Sequence, residues 1–421
     1  MTASPGSGPR AQTPETSAAE AAFREADALL SAGDFDAGFA AYQRAAEGGH
    51  RRAQVELARM HLYGIVEGAN PVAGVDWLSR AEAAGNPIAA YLMAMVALGG
   101  ALAPRDQRIN ERLRLAIDEG LPPALRAAAI HFGRKPHPED QALCIRLLER
   151  AAEGGDRVAA CLLAERLANG EGTPAQPEAA EDLWRQLESQ GVARLPAVSA
   201  GPPRQAGSTP RHLALEDVLS APSSTVLSKQ PRVAVVDGLL SADECRLLIA
   251  TSQPMLRGSQ TTDPDTGDAI AMPIRTSSDA SLDPIQEDFA LRAVQLRLCA
   301  AAGVDLVQAE HLTVLRYEPG QQYRPHRDYL PPATIARDGP QAGNRMRTIC
   351  VYLNDVEAGG ATEFPGPGVS IAPKAGSAVV FDNLLPDGSP DPDSVHAGLP
   401  VDRGVKWLGT LWLRQGRYRA F

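Results

Sequence analysis

The sequence predicts a multidomain α + β protein, with a run of helical hairpins in its first half and an antiparallel β core with flanking helices in its second. Three observations carry that reading. Helix ends recur at a fixed step, closing on Gly49, Gly85, Gly120, Gly155 and Gly191, which lie 36, 35, 35 and 36 residues apart, and a period in this range marks stacked supersecondary units. From His311 onward, short β-type segments alternate with Gly/Pro turns, the pattern of an antiparallel sandwich or barrel. Between the two halves, residues 193–230 shift to Pro, Ser, Gly and Ala, as a linker does.

Composition sets the outer bounds. A chain of 421 residues is too long for one ordinary core. The formal net charge of -10 gives no basic footprint for nucleic acid. Residues 1–19 are rich in Ser, Pro, Thr, Gly and Ala and carry no apolar run, so a disordered tail and a cytoplasmic protein are expected. No window reaches the apolar length of a membrane-spanning helix, and no membrane role is expected. The cysteines, Cys144, Cys161, Cys245, Cys299 and Cys350, have no CxxC spacing and read as buried thiols.

Residues 20–192 form the repeat region. Each unit pairs an apolar-periodic segment such as Ala53 to Met60 with a Gly-containing turn at Tyr63-Gly64 and a second helix such as Val72 to Leu78. The closing glycine supplies the left-handed conformation that ends a helix. The period, and Trp77 and Trp184 in the second helices, resemble Sel1-like repeats, which belong to the tetratricopeptide-type hairpins. That resemblance implies an α-solenoid with a concave surface for peptides or proteins; a scaffold is the plainer alternative. His50, His61, His131 and His137 fall here without a carboxylate pattern and read as structural.

In residues 231–421, Arg232 to Asp237 reads as a strand, and Ser241 with Glu244 has capping-box spacing for a helix reaching about Ser252. A second helix is expected from about Asp283 to Ala301, and a short one near Leu213 to Leu219 in the linker. The polar stretch Gly258 to Ser278, with Arg275-Thr276-Ser277, and the Pro/Gly-rich Leu330 to Asn344 each read as a surface loop or a lid.

The densest segment is Tyr317 to Asp328. His326 and Asp328 stand two apart, so in a strand both side chains emerge on one face and could grip one metal ion. Alone, an HxD is weak. Behind it come the strand Met346 to Asn354, the turn Gly359-Gly360, the buried strand Ala378 to Phe381, His396, and the strand Gly404 to Trp412. Two His and one carboxylate with open positions are the ligand set of non-haem iron(II) oxygenases. Lys406 is one of only four lysines and shares a face with Leu408, Thr410 and Trp412. A cation inside a barrel needs an anionic partner. Thr348, Cys350 and Tyr352 face opposite to Ile349, Val351 and Leu353.

The order HxD, distal His, then Lys ten residues later resembles the prolyl 4-hydroxylase branch of the 2-oxoglutarate- and iron(II)-dependent dioxygenases. The resemblance implies a double-stranded β-helix, or jelly roll, with His326, Asp328 and His396 as iron ligands and Lys406 anchoring the distal carboxylate of 2-oxoglutarate. Tyr317, Tyr352 and Thr410 then fall at co-substrate positions, with Tyr323, Trp412 and Arg275 lining the substrate pocket. It also implies Fe(2+), 2-oxoglutarate as co-substrate and L-ascorbate as auxiliary reductant. The expected partner is a peptide or protein substrate carrying a prolyl residue, which the solenoid could recruit. Two other readings stay open: a hydroxylase of a free amino acid or small molecule with the repeats as scaffold, and a catalytically silent interaction protein.

Overall fold

The computed structural model describes residues 17–199, 213, 219–259, 261–262, 269–270 and 275–421. The chain divides into two compact units, Met1–Met93 and Ala94–Phe421. The division falls inside a repeat helix, not in the Pro/Ser/Gly-rich stretch after it.

The first unit contains helices α1 (Ser17–Ser31), α2 (Phe35–Glu47), α3 (Arg51–Tyr63), α4 (Pro71–Ala83) and the start of α5 (Pro87–Gly99). Helix α1 begins at Ser17, so residues 17–19, assigned to a tail from composition, are helical, while residues 1–16 lie outside the described part. Side-chain caps set the starts: Asp34 accepts from the Ala37 N–H, His50 from Ala53 and Asn70 from Val72. Gly64 ends α3 in the left-handed conformation. Phe23, Tyr42, Leu57 and Met60 form the core, with Trp77 packed at its edge.

The second unit takes in the end of α5 and continues with α6 (Arg108–Asp118), α7 (Pro122–Gly133), α8 (Pro138–Glu153), α9 (Arg157–Asn169) and α10 (Pro177–Ser189). Prolines in the first turns of α7, α8 and α10 cost nothing there, because those N–H groups have no helical acceptor. Two helices of the second half of the chain follow, α11 (Ala242–Ser252) and α12 (Phe289–Ala302), with the short α13 (Pro332–Asp338) inside the Leu330 to Asn344 insertion. The expected capping box is present: Ser241 Oγ accepts from the Glu244 N–H, and the Glu244 carboxylate accepts from the Ser241 N–H. Helix α12 starts later than the Asp283 expected. Asp283 instead accepts from the Ile285 and Gln286 N–H groups in a turn, and Asp288 caps the helix by accepting from Leu291. The helix expected near Leu213 to Leu219 lies almost wholly outside the described residues, as does about half of the loop or lid expected from Gly258 to Ser278.

Among the described residues, the strands in order are β1 (Thr225–Lys229), β2 (Arg232–Val236), β3 (Arg257–Gly258), β4 (Thr261–Thr262), β5 (Ala269–Ile270), β6 (Ser278–Leu282), β7 (Leu312–Tyr317), β8 (Tyr323–His326), β9 (Arg345–Tyr352), β10 (Ala358–Gly359), β11 (Thr362–Phe364), β12 (Val369–Ile371), β13 (Ala378–Asp382), β14 (His396–Gly398), β15 (Val401–Arg403) and β16 (Lys406–Arg414). Eight make one sheet in the order β1-β2-β13-β9-β16-β7-β6-β3, and four make a second, β12-β11-β14-β8. The pairings are antiparallel, and the two sheets are the jelly roll expected. Tyr317, Tyr352, Phe364, Phe381 and Leu408 fill the space between them. All five cysteines are buried and free. No described helix is long and apolar enough to cross a membrane.

Helices α7 and α9 are joined to α11 and α12 through buried charge. Arg166 bonds Asp243, and Arg246 bonds both Asp243, at 3.3 Å, and Glu171, at 2.6 and 2.7 Å. Arg134 and Arg297 share the Glu244 carboxylate, while Arg126 bridges Asp156 and Asp288. Burial alone pushes the Glu244 carboxyl up, but Arg134 and Arg297 outweigh it and hold the group at about 2. Arg166, Asp243, Glu244, Arg246 and Arg297 are buried, and each is answered by an opposite charge, the condition under which ions are tolerated inside a protein.

Candidate metal and co-substrate site

The ligand cluster is built by strand register. Strands β8 and β14 are antiparallel neighbours with His326 directly opposite His396, so both imidazoles project from one face of the smaller sheet. Asp328, just past the end of β8, completes the set. His326 Nε2 lies 3.6 Å from Asp328 Oδ1, and His396 Nε2 lies 3.7 Å from Oδ2. The three ligand atoms all fall within 4.8 Å of one another, as a shared ion requires.

The outer atoms fix the rings. His326 Nδ1 is 2.8 Å from the Arg324 carbonyl and His396 Nδ1 is 3.0 Å from that of Ser394. A carbonyl only accepts, so each Nδ1 carries the proton and each Nε2 turns a lone pair inward. Burial, with His396 beside it, drops the His326 pKa to about 3, keeping the ring neutral and able to ligate. For Asp328, burial pushes the pKa up, but His396, His326 and Arg345 together with a 2.8 Å hydrogen bond from Thr348 Oγ1 bring it below the usual range. These residues fit a divalent metal: two imidazoles and one carboxylate converge on one side of a cavity, their ligand atoms close enough to share an ion.

Across that cavity stands Lys406, 2% exposed and opposite Tyr317 in the β16–β7 ladder. Its Nζ donates to the Gly360 carbonyl at 2.6 Å and sits over the Tyr317 and Tyr352 rings at 5.4 and 5.5 Å. Gly360 has φ +71, and a Cβ there would meet the Lys406 side chain at 3.2 Å, so glycine is needed both for the turn and for the approach. No carboxylate pairs with Lys406 among the described residues. Burial accordingly lowers its pKa to about 8.

Nine of the ten residues singled out from the sequence line one cavity: Arg275, Tyr317, Tyr323, His326, Asp328, His396, Lys406, Thr410 and Trp412. Tyr352 lies behind the wall, its hydroxyl donating to Thr362 Oγ1 at 2.7 Å and its ring under Lys406. Tyr323 stacks on His326, with ring centroids 3.4 Å apart, and carries the Arg275 guanidinium at 5.3 Å. Arg345 escaped the sequence reading. Strict alternation from Thr348 puts it on the far face, but a register shift at Leu413/Arg414 turns it toward Trp412, over whose ring it sits at 4.1 Å. A larger cavity of about 510 Å³ opens along the seam beside Gln141, Glu171, Asp237 and Lys374, away from the His/Asp cluster.

The 2OG-Fe(II) oxygenase superfamily model matches residues 312–414, and the Sel1 repeat model matches 51–86, 122–156 and 157–192. Among relatives, the Arabidopsis thaliana protein named "Probable prolyl 4-hydroxylase 3" is 35% identical over 213 residues, 46% of this chain and 73% of its own length. "Prolyl 4-hydroxylase 1" of the same plant is 35% identical over 204 residues, 45% of this chain and 71% of its own. Among solved structures, the 2OG complex of the viral collagen prolyl hydroxylase vCPH from Paramecium Bursaria Chlorella virus-1 is 26% identical, covering 43% of this chain and 95% of that one, with a TM-score of 0.35. A candidate metal-binding cluster facing a buried lysine thus lies within the matched segment of a chain that belongs to the prolyl 4-hydroxylase family of 2-oxoglutarate- and iron(II)-dependent dioxygenases.

Proposed function

We propose that this chain hydroxylates a prolyl residue within a peptide or protein, consuming O2 and 2-oxoglutarate and releasing succinate and CO2. The observation that carries the reading is the pairing, in one cavity, of an anion-seeking cation with a cation-seeking ligand set: Lys406 facing His326, Asp328 and His396. In it, the two histidines and Asp328 would hold iron(II), and Lys406 would bind the far carboxylate of 2-oxoglutarate, with Thr410 and Tyr317 beside it. When bound, metal and co-substrate supply the oxidative decarboxylation that delivers one oxygen atom to the substrate.

The protein's own part is positioning and the exclusion of water. Tyr323, stacked on His326, shields that ring from solvent. Arg275 with Tyr323, and Trp412 beneath the Arg345 guanidinium, form the part of the cavity to which we assign the prolyl substrate. Trp412 Nε1 has no acceptor among the described residues and is a donor available to a peptide carbonyl. We assign the Sel1 repeats to recruitment of a protein substrate, and L-ascorbate to restoring iron(II) after uncoupled turnover.

The test offers the full chain iron(II), 2-oxoglutarate and ascorbate, with proline-rich peptides and free L-proline in parallel, and follows product mass. Gain of one oxygen on the peptide supports the reading. Gain on the free amino acid alone overturns the substrate class, and neither gain nor succinate release overturns the enzyme assignment.

A further inference from the structure

Asp328 is held by more than the strand that carries it. Its Oδ2 accepts from Thr348 Oγ1 at 2.8 Å, and Thr348 Oγ1 in turn lies 2.9 Å from Asn383 Nδ2. Thr348 and Asn383 are both 0% exposed, so no water competes for these bonds. A hydroxyl has one proton; Thr348 spends it on Asp328 and must therefore accept from Asn383, which fixes the amide with Nδ2 toward Thr348. The opposite amide orientation would draw the Thr348 proton away from Asp328. The observed orientation leaves Asn383 Oδ1 buried without a partner among the described residues, a cost of the kind met where polar groups serve a site.

The backbone of Asn383 is equally committed. Its N–H donates to the Met346 carbonyl at 2.9 Å, and its carbonyl accepts from the Asp391 N–H at 3.0 Å. One neighbour leads into the strand carrying Thr348. The other leads through Pro392–Ser394 into His396, whose Nδ1 meets the Ser394 carbonyl. Asn383 thus stands where the supports of two ligands meet.

We propose that Asn383 is a positioning residue for the metal centre, acting through Thr348 to set the orientation of the Asp328 carboxylate. This inference rests on the reading of His326, Asp328 and His396 as metal ligands, and the experiment separates the two. Cobalt(II) is titrated into metal-free full-length protein, with affinity read by calorimetry and ligand geometry by the visible absorption of the bound ion. Second-sphere partners of a ligand carry about 10- to 100-fold in metal affinity. Thr348→Val is expected to weaken cobalt binding by roughly that factor and Asn383→Ala by about ten-fold, both with an altered spectrum, while Thr348→Ser keeps the parent values.

The decisive arm is the double variant. If Asn383 acts through Thr348, adding Asn383→Ala to Thr348→Val costs no further affinity, whereas a merely structural Asn383 adds its full effect again. Additivity, or an Asn383→Ala protein that binds cobalt with parental affinity and spectrum, overturns the proposal. Should Asn383→Ala not fold, Asn383→Ser is read by the same criteria. A parent protein that fails to bind cobalt overturns the metal-site reading instead.

Discussion

The seam between α7, α9 and α11 and the cavity around His326 both bury ionisable groups, yet they leave them in opposite conditions. In the seam, Asp243 meets Arg166 and Arg246, and Glu244 meets Arg134 and Arg297. In the cavity, two imidazoles and a carboxylate converge on one point, and no carboxylate pairs with Lys406 among the described residues. One set is closed by the protein's own charges, the other only by ligands. Burial and perturbed acidity are shared by both, so completion is what separates architecture from function.

The sharpest test of that contrast removes a ligand. His396→Ala is expected to abolish turnover and metal binding while keeping the parental melting temperature in the metal-free state. A large loss of stability would place His396 with the structural set. In the seam the prediction reverses: Asp243→Asn leaves Arg166 and Arg246 short of charge and should cost about 3–5 kcal/mol, the usual penalty for breaking a buried pair, seen by denaturant unfolding. Turnover per folded molecule should stay near parental.

Lys406→Met separates the two conditions within one residue. Losing one partner of a buried charge pair costs about 2–5 kcal/mol, so 2-oxoglutarate affinity should fall roughly 30-fold or more, measured by calorimetry. The same change relieves an unpaired buried cation, so the variant without co-substrate should melt above the parent. Its advantage should depend on pH. The lysine's pKa drops from 10.5 unfolded to about 8 folded, so between those values the unfolded chain binds the proton that the fold expels, and parental stability rises with pH. The advantage is therefore full below pH 8 and shrinks as pH climbs toward 10.5. An advantage that is flat across this window would mean that Lys406 is not the titrating group.

How far each region could be read from sequence follows from the same contrast. The cavity was legible because strand alternation is local: His326 and Asp328 emerge together, as do Lys406, Thr410 and Trp412, and lysine is scarce in this chain. Arg345 was lost to a register shift, and Asn383 to its position beyond the end of β13, where alternation no longer applies. The repeats declared themselves by their glycines. The seam did not, because its partners lie 75, 77 and 110 residues apart, and an Arg or Glu on an amphipathic helix looks like an ordinary solvated residue until the opposite surface is known. Hence the expected boundary at residues 193–230 gave no hint that α7 and α9 belong with the oxygenase sheet.

That seam also bears on the order in which the protein is made. Synthesis runs from the N-terminus, and domains generally fold as they emerge. Arg134, Arg166 and Glu171 leave the ribosome before Asp243, Glu244 and Arg246. Arg134, Arg166 and Glu171 are therefore already made when their partners Glu244, Asp243 and Arg246 appear, so the compact unit from Ala94 to Phe421 closes only once its second half has been synthesised.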